Sequence, residues 1–510
     1  MREEIEVTIF NSLFAAVAEE MGIVLQKSSF SANIKERRDF SCAIFDGKGR
    51  LIAQAAHIPV HLGAMPHTLA EVRRKLTLNP HDVVITNDPY AGGTHLPDIT
   101  LIKPVYEGDE IAFYLTVRAH HADVGGKTPG SMPLATHIEE EGVLIPPCKL
   151  LEEGRLNEGF WKGFLAQVRN PAEREGDLKA QLAALHRGEI RVRELIKRYG
   201  LSFLKERFVL LLEYSARLMR ALVNDIPDGE YHFEDYLDDD GIDKNPLPLR
   251  VKILVEGDRV VLDFRESSPQ VKTSLNAVRA VTCAAVYYVF FSLARGEIPA
   301  NEGAFYPFEI LTRPGTILDA VYPAPVAAGN VETSQRVVDV VLGALAQALP
   351  EQIPAASCGS MNNLAFGGEG FTYYETIGGG MGGRPGLSGL SGVHTHMTNT
   401  LNTPIEALER EYPVLVEKYA LRPRSGGAGK FRGGDGLIRR FRFLEPATVT
   451  ILSERRRLAP YGLFGGKAGR RGQNILEKKG RKKILPGKVT LEVEEGDVLE
   501  IRTPGGGGWG

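Results

Sequence analysis

Two short polar stretches, Asn87-Asp-Pro-Tyr-Ala-Gly-Gly-Thr-His-Leu-Pro-Asp98 and Arg118-Ala-His-His-Ala-Asp-Val-Gly-Gly126, bracket a pair of apolar runs at 99–106 and 111–118. The runs read as the strands of a β-hairpin, with Glu107-Gly108-Asp109-Glu110 as its turn. In an antiparallel hairpin the residues before the first strand lie beside those after the second. His95 and Asp98 are therefore expected close to His120, His121 and Asp123. If Tyr106 pairs with Ile111, a regular ladder sets Pro97 opposite His120 and Asp98 opposite Ala119, with cross-strand Cβ atoms roughly 5 Å apart.

Imidazole nitrogen and carboxylate oxygen together suit Zn, Mn or Fe, and the lack of cysteine in the cluster points to a catalytic rather than a structural ion. Successive strand residues point to opposite faces, so His120 and His121 are not both expected as ligands. A slip of one residue exchanges them.

The rest of the chain bounds the setting. Its 510 residues allow more than one core, and 61 basic against 64 acidic side chains leave a net charge of −3. Nothing in that balance calls for a nucleic acid or a membrane surface. The basic exception is a C-terminal cluster, Arg455 to Arg457, Arg470-Arg471 and the lysines of 478–483, which reads as a solvated turn face. Cys42, Cys148, Cys283 and Cys358 are widely spaced and form neither a zinc ribbon nor a disulfide framework. An acidic N-terminus and the lack of any apolar run near 20 residues lead us to expect a cytoplasmic protein.

The expected fold class is α+β, with antiparallel sheets and a helical middle segment. We divide it into an α/β region with the hairpin (1–150), a helical segment (151–225), a central α/β region with glycine-rich loops (226–410) and a β-rich region (411–510). The chain opens on an amphipathic helix, Ile5 to Met21, stopped at Gly22. A strand pair at 40–45 and 51–55 follows. His57, His61 and His67 then offer further ligands, or line a helix over 65–75. Gly125 to Ser131 lacks both the spacing of a phosphate loop and a helix after it, so ATP, if needed, is expected on another polypeptide.

Strands are expected over 231–264 around Asp238-Asp239-Asp240, and a core helix over 277–294. Gly329 to Arg336 opens a helix from about Val337, with Thr333 or Ser334 as N-cap. There Asn330, Glu332 and Arg336 either serve the cap or orient an anionic or carbonyl group. The glycine-rich stretch 373–404 is free to fold over a substrate, with Asn399 and Asn402 offering amides and His394 and His396 an alternating pair. The closing Gly505 to Gly508 run is read as a loop or interface peptide.

The strings at 87–98, 119–126, 330–336 and 396–404 and the closing glycines resemble the B subunit of the hydantoinase/oxoprolinase family, which includes N-methylhydantoinase B, the C-terminal part of 5-oxoprolinase and the large subunits of acetone-type carboxylases. The resemblance covers essentially the whole chain. It implies an actin-like ATPase A subunit as partner, which phosphorylates a cyclic amide such as N-methylhydantoin, hydantoin or 5-oxoproline, while this chain completes ring opening. From the carboxylase relatives it implies a manganese-type ion on His95, Asp98 and His120, with His121 and Asp123 as alternates. In that scheme the ion polarises the carbon or the attacking water, Asp123 or the unliganded His121 relays the proton, and Asn330, Glu332, Arg336 and Asn399 contact substrate. A homodimer within a hetero-oligomer is expected. The alternatives are an ATP-dependent carboxylase subunit and a non-catalytic scaffold of the same complex.

Overall fold

A computed structural model describes residues 2–56 and 58–510. The fold is α+β, built on four sheets. The first comprises β1 (Phe40–Asp46), β2 (Leu51–Ala56), β3 (Val83–Thr86), β4 (Asp98–Glu107), β5 (Glu110–His120), β6 (Cys148–Glu152) and β7 (Arg155–Leu156), in the order β2-β1-β5-β4-β3-β6-β7. Every pair in it is antiparallel.

Both faces of this sheet are covered, which explains why its strands are nearly continuous in apolar residues. One face carries α1 (Arg2–Ser28) and α5 (Pro171–Tyr199); the single turn α2 (Ala32–Lys35) follows α1, and α4 (Glu158–Leu165) precedes α5. Ile44, Ile99, Leu101, Leu115, Val117 and Ala119 point into the large core on that side. The other face carries α3 (Ala64–Lys75), whose Met65, Leu69 and Val72 meet Phe45, Ile102 and Tyr114. Alternation then puts Asp98, Thr100, Arg118 and His120 on the α3 face, and His121 on the α5 face.

Helix α1 runs through Gly22 to Ser28, six residues beyond the expected stop, because Leu25 is as deeply buried as Phe14, Val17 and Met21 and continues the same stripe. By length and composition α1 is apolar enough to cross a bilayer, contrary to the reading that no such run exists. In this fold one face of it lies on α5, β1 and β2.

The second sheet orders β11-β10-β9-β8, from β8 (Gly229–Leu237), β9 (Leu247–Glu256), β10 (Arg259–Asp263) and β11 (Phe308–Leu311). It follows α6 (Leu201–Asn224) and is backed by α8 (Ser334–Ala348), which packs on α7 (Arg279–Leu293).

The last two sheets face each other across a separate apolar core of Phe366, Tyr373, Val449, Phe441 and Ile501. One orders β13-β12-β16-β19, from β12 (Asn363–Gly368), β13 (Phe371–Glu375), β16 (Ala447–Leu452) and β19 (Lys488–Val493). The other orders β14-β15-β20-β17-β18, from β14 (Val414–Leu421), β15 (Leu437–Phe443), β17 (Gln473–Lys478), β18 (Arg481–Leu485) and β20 (Val498–Arg502), with α9 (Ile405–Glu411) against β14.

The C-terminal tail is interior, not a free loop. Residues 503–508 are buried, and a Cβ at Gly505, Gly506, Gly507 or Gly508 would stand 2.0, 2.1, 1.9 or 2.2 Å from the carbonyl oxygens of Ser425, Met381, Tyr461 and Ala428. Only glycine lets the strand of chain thread so closely past other backbone.

Candidate metal centre

The hairpin forms with its turn where the sequence puts it, and Tyr106 does pair with Ile111. The ladder is not regular, however. Val105 pairs with Phe113, which leaves Ala112 as an extra residue on β5, a β-bulge that moves the register by one. Asp98 therefore faces His120, and Ile99 faces Ala119, correcting the regular-ladder expectation.

That shift brings three donor atoms together. His95 Nε2 lies 3.2 Å from Asp98 Oδ1, His120 Nδ1 lies 3.2 Å from the same oxygen, and the two imidazole nitrogens are 3.2 Å apart. All three side chains are at most 3% exposed. Donors that hold one ion at about 2.0–2.2 Å are separated by roughly 3.0–3.5 Å, so an equilateral set at this spacing fits a divalent cation. The chemistry of the donors, two imidazoles and a carboxylate, points the same way.

Asp98 is held further by Thr94 Oγ1 and by His61 Nε2, 3.4 Å from its second oxygen Oδ2. The other His61 nitrogen meets Ser41 Oγ at 2.9 Å. Burial works to raise the Asp98 pKa, but His95 and His61 and the hydrogen bonds from His120 and His61 hold it well below the usual carboxylate range. Burial lowers the pKa of His120, while Asp39 and Asp98 oppose that shift. The His120 ring stacks on Tyr374 with centroids 4.9 Å apart and planes 16° from parallel. Tyr374 in turn donates to Asn363 at 2.8 Å, so its ring plane is fixed from below.

The cluster opens onto a cavity of about 20 Å³, enough for about one water molecule. Asp39, His61, Asp98, His120, Asn330 and Tyr374 are among its walls. Asp39 and His61 thus join the site although they lie outside the two hairpin strings. Asp39 was legible only as the last residue of Glu36-Arg-Arg-Asp39, directly before β1. Its place beside His120 follows from β1 pairing with β5, where Phe40 faces Ala119 and His120 N–H donates to the Asp39 carbonyl. His67 lies elsewhere, lining a different cavity with Arg279 and Tyr322, and His57 falls outside the described residues.

His121 points away from the cluster toward α5, where Nε2 meets Gln181 Oε1 at 3.0 Å. Burial pushes its pKa down to about 4. Asp123 is a loop anchor here. It accepts from the backbone N–H groups of Gly125, Gly130 and Arg169 and pairs with the Arg169 guanidinium at 3.0 Å.

The 330–336 segment is divided. A π-turn over Gly329–Thr333 leads straight into α8, so the helix begins earlier than expected and no side chain caps it. Thr333 and Ser334 instead bond the carbonyls of Leu275 and Asn330. Asn330 reaches the small cavity with its buried Oδ1 unpartnered among the described residues. Glu332 turns to Ser360, Met361 and Asn363, and burial followed by the Glu454 charge pushes its pKa up to about 8. Arg336 sits in a buried ionic group, 3.5 Å from Asp235, 3.6 Å from Asp339 and 3.5 Å from Glu454.

A larger cavity of about 630 Å³ adjoins, lined by Tyr288, His394, His396 and Asn399 among others. Thr398 belongs to the walls of both cavities. His396 is 3.8 Å from Asp339 and 3.4 Å from the Tyr288 hydroxyl, outside the three-donor set.

Comparison with known proteins agrees with this architecture. Residues 3–510 match the family described as Hydantoinase B/oxoprolinase. An uncharacterised protein of Methanocaldococcus jannaschii is 43% identical over all of this chain and 91% of its own length. The 5-oxoprolinase 1 of Arabidopsis thaliana is 43% identical over 99% of this chain, which spans only 42% of that longer protein. Among solved structures, the ATP-dependent caprolactamase from Pseudomonas jessenii superimposes with a TM-score of 0.94 at 29% identity, covering 99% of this chain and 91% of its own. With matching strings, fold and length, the chain belongs to the hydantoinase B/oxoprolinase family.

Proposed function

We propose that this chain is the ring-opening subunit of an ATP-dependent amidohydrolase acting on a cyclic amide of the N-methylhydantoin, hydantoin or 5-oxoproline type. The observation that carries the reading is the buried triangle of His95, Asp98 and His120 with equal 3.2 Å sides, next to a cavity of about 20 Å³. The likeness to an ATP-dependent caprolactamase, an enzyme named for a lactam, supports the same class of bond.

His95 Nε2, His120 Nδ1 and Asp98 Oδ1 would hold a divalent Mn, Zn or Fe ion, with Asp39 on the same cavity wall as a further oxygen donor. When bound, such an ion supplies Lewis-acid polarisation of a carbonyl or of water. The residues of the chain do the rest. Asp98 stays ionised, and His61, fixed between Ser41 and Asp98, orients its second oxygen. Tyr374 sets the plane of His120. The free Oδ1 of Asn330 accepts from an amide N–H of the substrate, which fixes which side of the ring faces the cluster. His61, on the cavity wall beside Asp98, relays the proton, a role the sequence suggested for His121 or Asp123.

A cavity this small excludes bulk water and admits only the reacting amide edge of the substrate, the rest of the ring staying in the adjoining chamber. Substrate therefore enters from the 630 Å³ chamber, past Thr398, with Asn399 on the approach. ATP is bound by an A-type ATPase partner in a cytoplasmic hetro-oligomer containing a dimer of this chain. The test is ATP-coupled opening of 5-oxoproline and hydantoin by the chain with its co-encoded partner. Wild type turns over, and Asp98→Ala, folded by circular dichroism, loses about a hundred- to a thousandfold of kcat, the scale of losing a preorganised electrostatic group. Full turnover by that variant contradicts the assignment.

A further inference from the structure

Separate from the two cavities at the metal centre, a cleft of about 510 Å³ opens at the edge of the C-terminal sheets. Five of its walls are arginines, Arg422, Arg456, Arg457, Arg470 and Arg471, and Asp239 is the one carboxylate among the described lining residues. Asp239 is already shared, 3.3 Å from Arg457 and 3.4 Å from Lys488. The neighbouring Asp238 carboxylate accepts from the backbone N–H groups of Arg456, Arg457 and Leu458, not from their guanidinium groups.

What holds these arginines in place is mostly neutral. Arg456 donates to Asn362 Oδ1 and the Glu454 carbonyl, each at 2.7 Å, and to Asn474 Oδ1 at 3.0 Å. Arg422 donates to the carbonyls of Arg471 and Thr503 at 2.8 and 3.0 Å, and Arg471 donates to the Arg457 carbonyl at 2.9 Å. No hydrogen bond or ion pair occupies the Arg470 side chain among the described residues. Carbonyl and amide acceptors fix a guanidinium without cancelling its charge. Burial, then repulsion from Arg502 and Arg470, lowers the pKa of Arg422, the expected result of gathering like charges.

The sequence alone suggested a solvated turn face for Arg456, Arg457, Arg470 and Arg471. The fold instead gathers them with Arg422, from three separate segments, onto one concave surface, in a protein whose net charge is −3. Guanidinium groups fixed in orientation match phosphate oxygens through paired N–H donors. The volume is that of a small-molecule site. We infer that this cleft binds a compact anion carrying two or more linked phosphates, either a nucleoside diphosphate or a free polyphosphate. Each phosphate brings about −1.5 to −2 of charge, so two linked groups offset most of the surplus, which a single carboxylate or phosphate does not.

The inference is independent of the metal centre, because binding is measured without turnover. Calorimetric titration of the full chain with pyrophosphate, ADP and citrate tests it, alongside the double variant Arg470→Gln/Arg471→Gln. Both substitutions are at exposed positions whose side chains make at most one contact, to a backbone carbonyl, and thermal unfolding checks that the fold is kept. Pyrophosphate or ADP should bind at least about tenfold more tightly than citrate, and the double variant should weaken that binding at least about tenfold, as for loss of one or more charge-assisted contacts. ADP binding about tenfold tighter than pyrophosphate identifies a nucleotide as the ligand; equal binding identifies the polyphosphate alone. No binding of either at millimolar concentration, citrate binding equally well, or affinity unchanged in a folded double variant overturns the inference.

Discussion

His120 and His121 are neighbours in sequence, yet one sits 3.2 Å from Asp98 and the other is bonded to Gln181 of α5. The sequence placed both at the end of the second hairpin strand. It could not choose between them, because the choice depends on one bulged residue, Ala112, whose extra place in the ladder has no signature in an apolar strand. His121 has a second consequence. Its pKa is about 4 in the fold against about 6.5 when exposed, chiefly through burial, so the native state holds it neutral while the unfolded chain binds a proton. The contribution is intact above pH 6.5 and is lost as pH falls from 6.5 to 4. We expect the stability of wild type to drop over that window by an amount that His121→Gln reduces by on the order of 2 kcal/mol; denaturant titrations of both proteins at pH 7 and pH 4.5 measure it.

At the scale of elements, the strands of the hairpin, the helical segment and the C-terminal strands were legible from periodicity and turn residues. The start of α8 was not. Thr333 and Ser334 look like N-caps, but their hydroxyls bond carbonyls and the backbone continues upstream as a π-turn, a choice set by packing against 274–277 and not by local propensity. A Cβ at Gly329 would stand 1.9 Å from the Asn276 carbonyl oxygen. Gly329→Ala must therefore push the π-turn, and Asn330 with it, away from the small cavity. We expect a loss of about 1–3 kcal/mol in stability, as for overpacked cores, with kcat falling more than KM rises in the coupled assay. Wild-type stability in this variant would show that the turn yields freely.

For the whole molecule, composition bounded the class, and the resemblance of the strings at 87–98 and 119–126 supplied the family. What sequence could not show was how distant segments meet. Asp39 reaches the cluster through the pairing of β1 with β5, His61 through its contacts with Ser41 and Asp98, and five arginines converge in one cleft. The glycine tail, read as a loop or interface peptide, threads between the carbonyls of Met381, Ser425, Ala428 and Tyr461, since a glycine run free of apolar residues carries no mark of burial. Removing residues 505–510 should expose the carbonyls they cover and leave that region unable to fold. Cleavage within 411–504 by a nonspecific protease should then be rapid at 25 °C, while the intact chain resists; equal resistance would show the tail to be dispensable.

Element analysis of the chain, purified without chelators and then dialysed against metal-free buffer, bears most directly on the central assignment. With His95, Asp98 and His120 forming one coordination set, wild type retains about one equivalent of Mn, Zn or Fe per chain, and Asp98→Asn, with an unchanged circular dichroism spectrum, retains less than about a tenth of that, since loss of a charged ligand exceeds the 10- to 100-fold effect of losing a supporting group. Metal-free wild type that takes up no ion on incubation, or an Asp98→Asn protein that keeps a full equivalent, contradicts it.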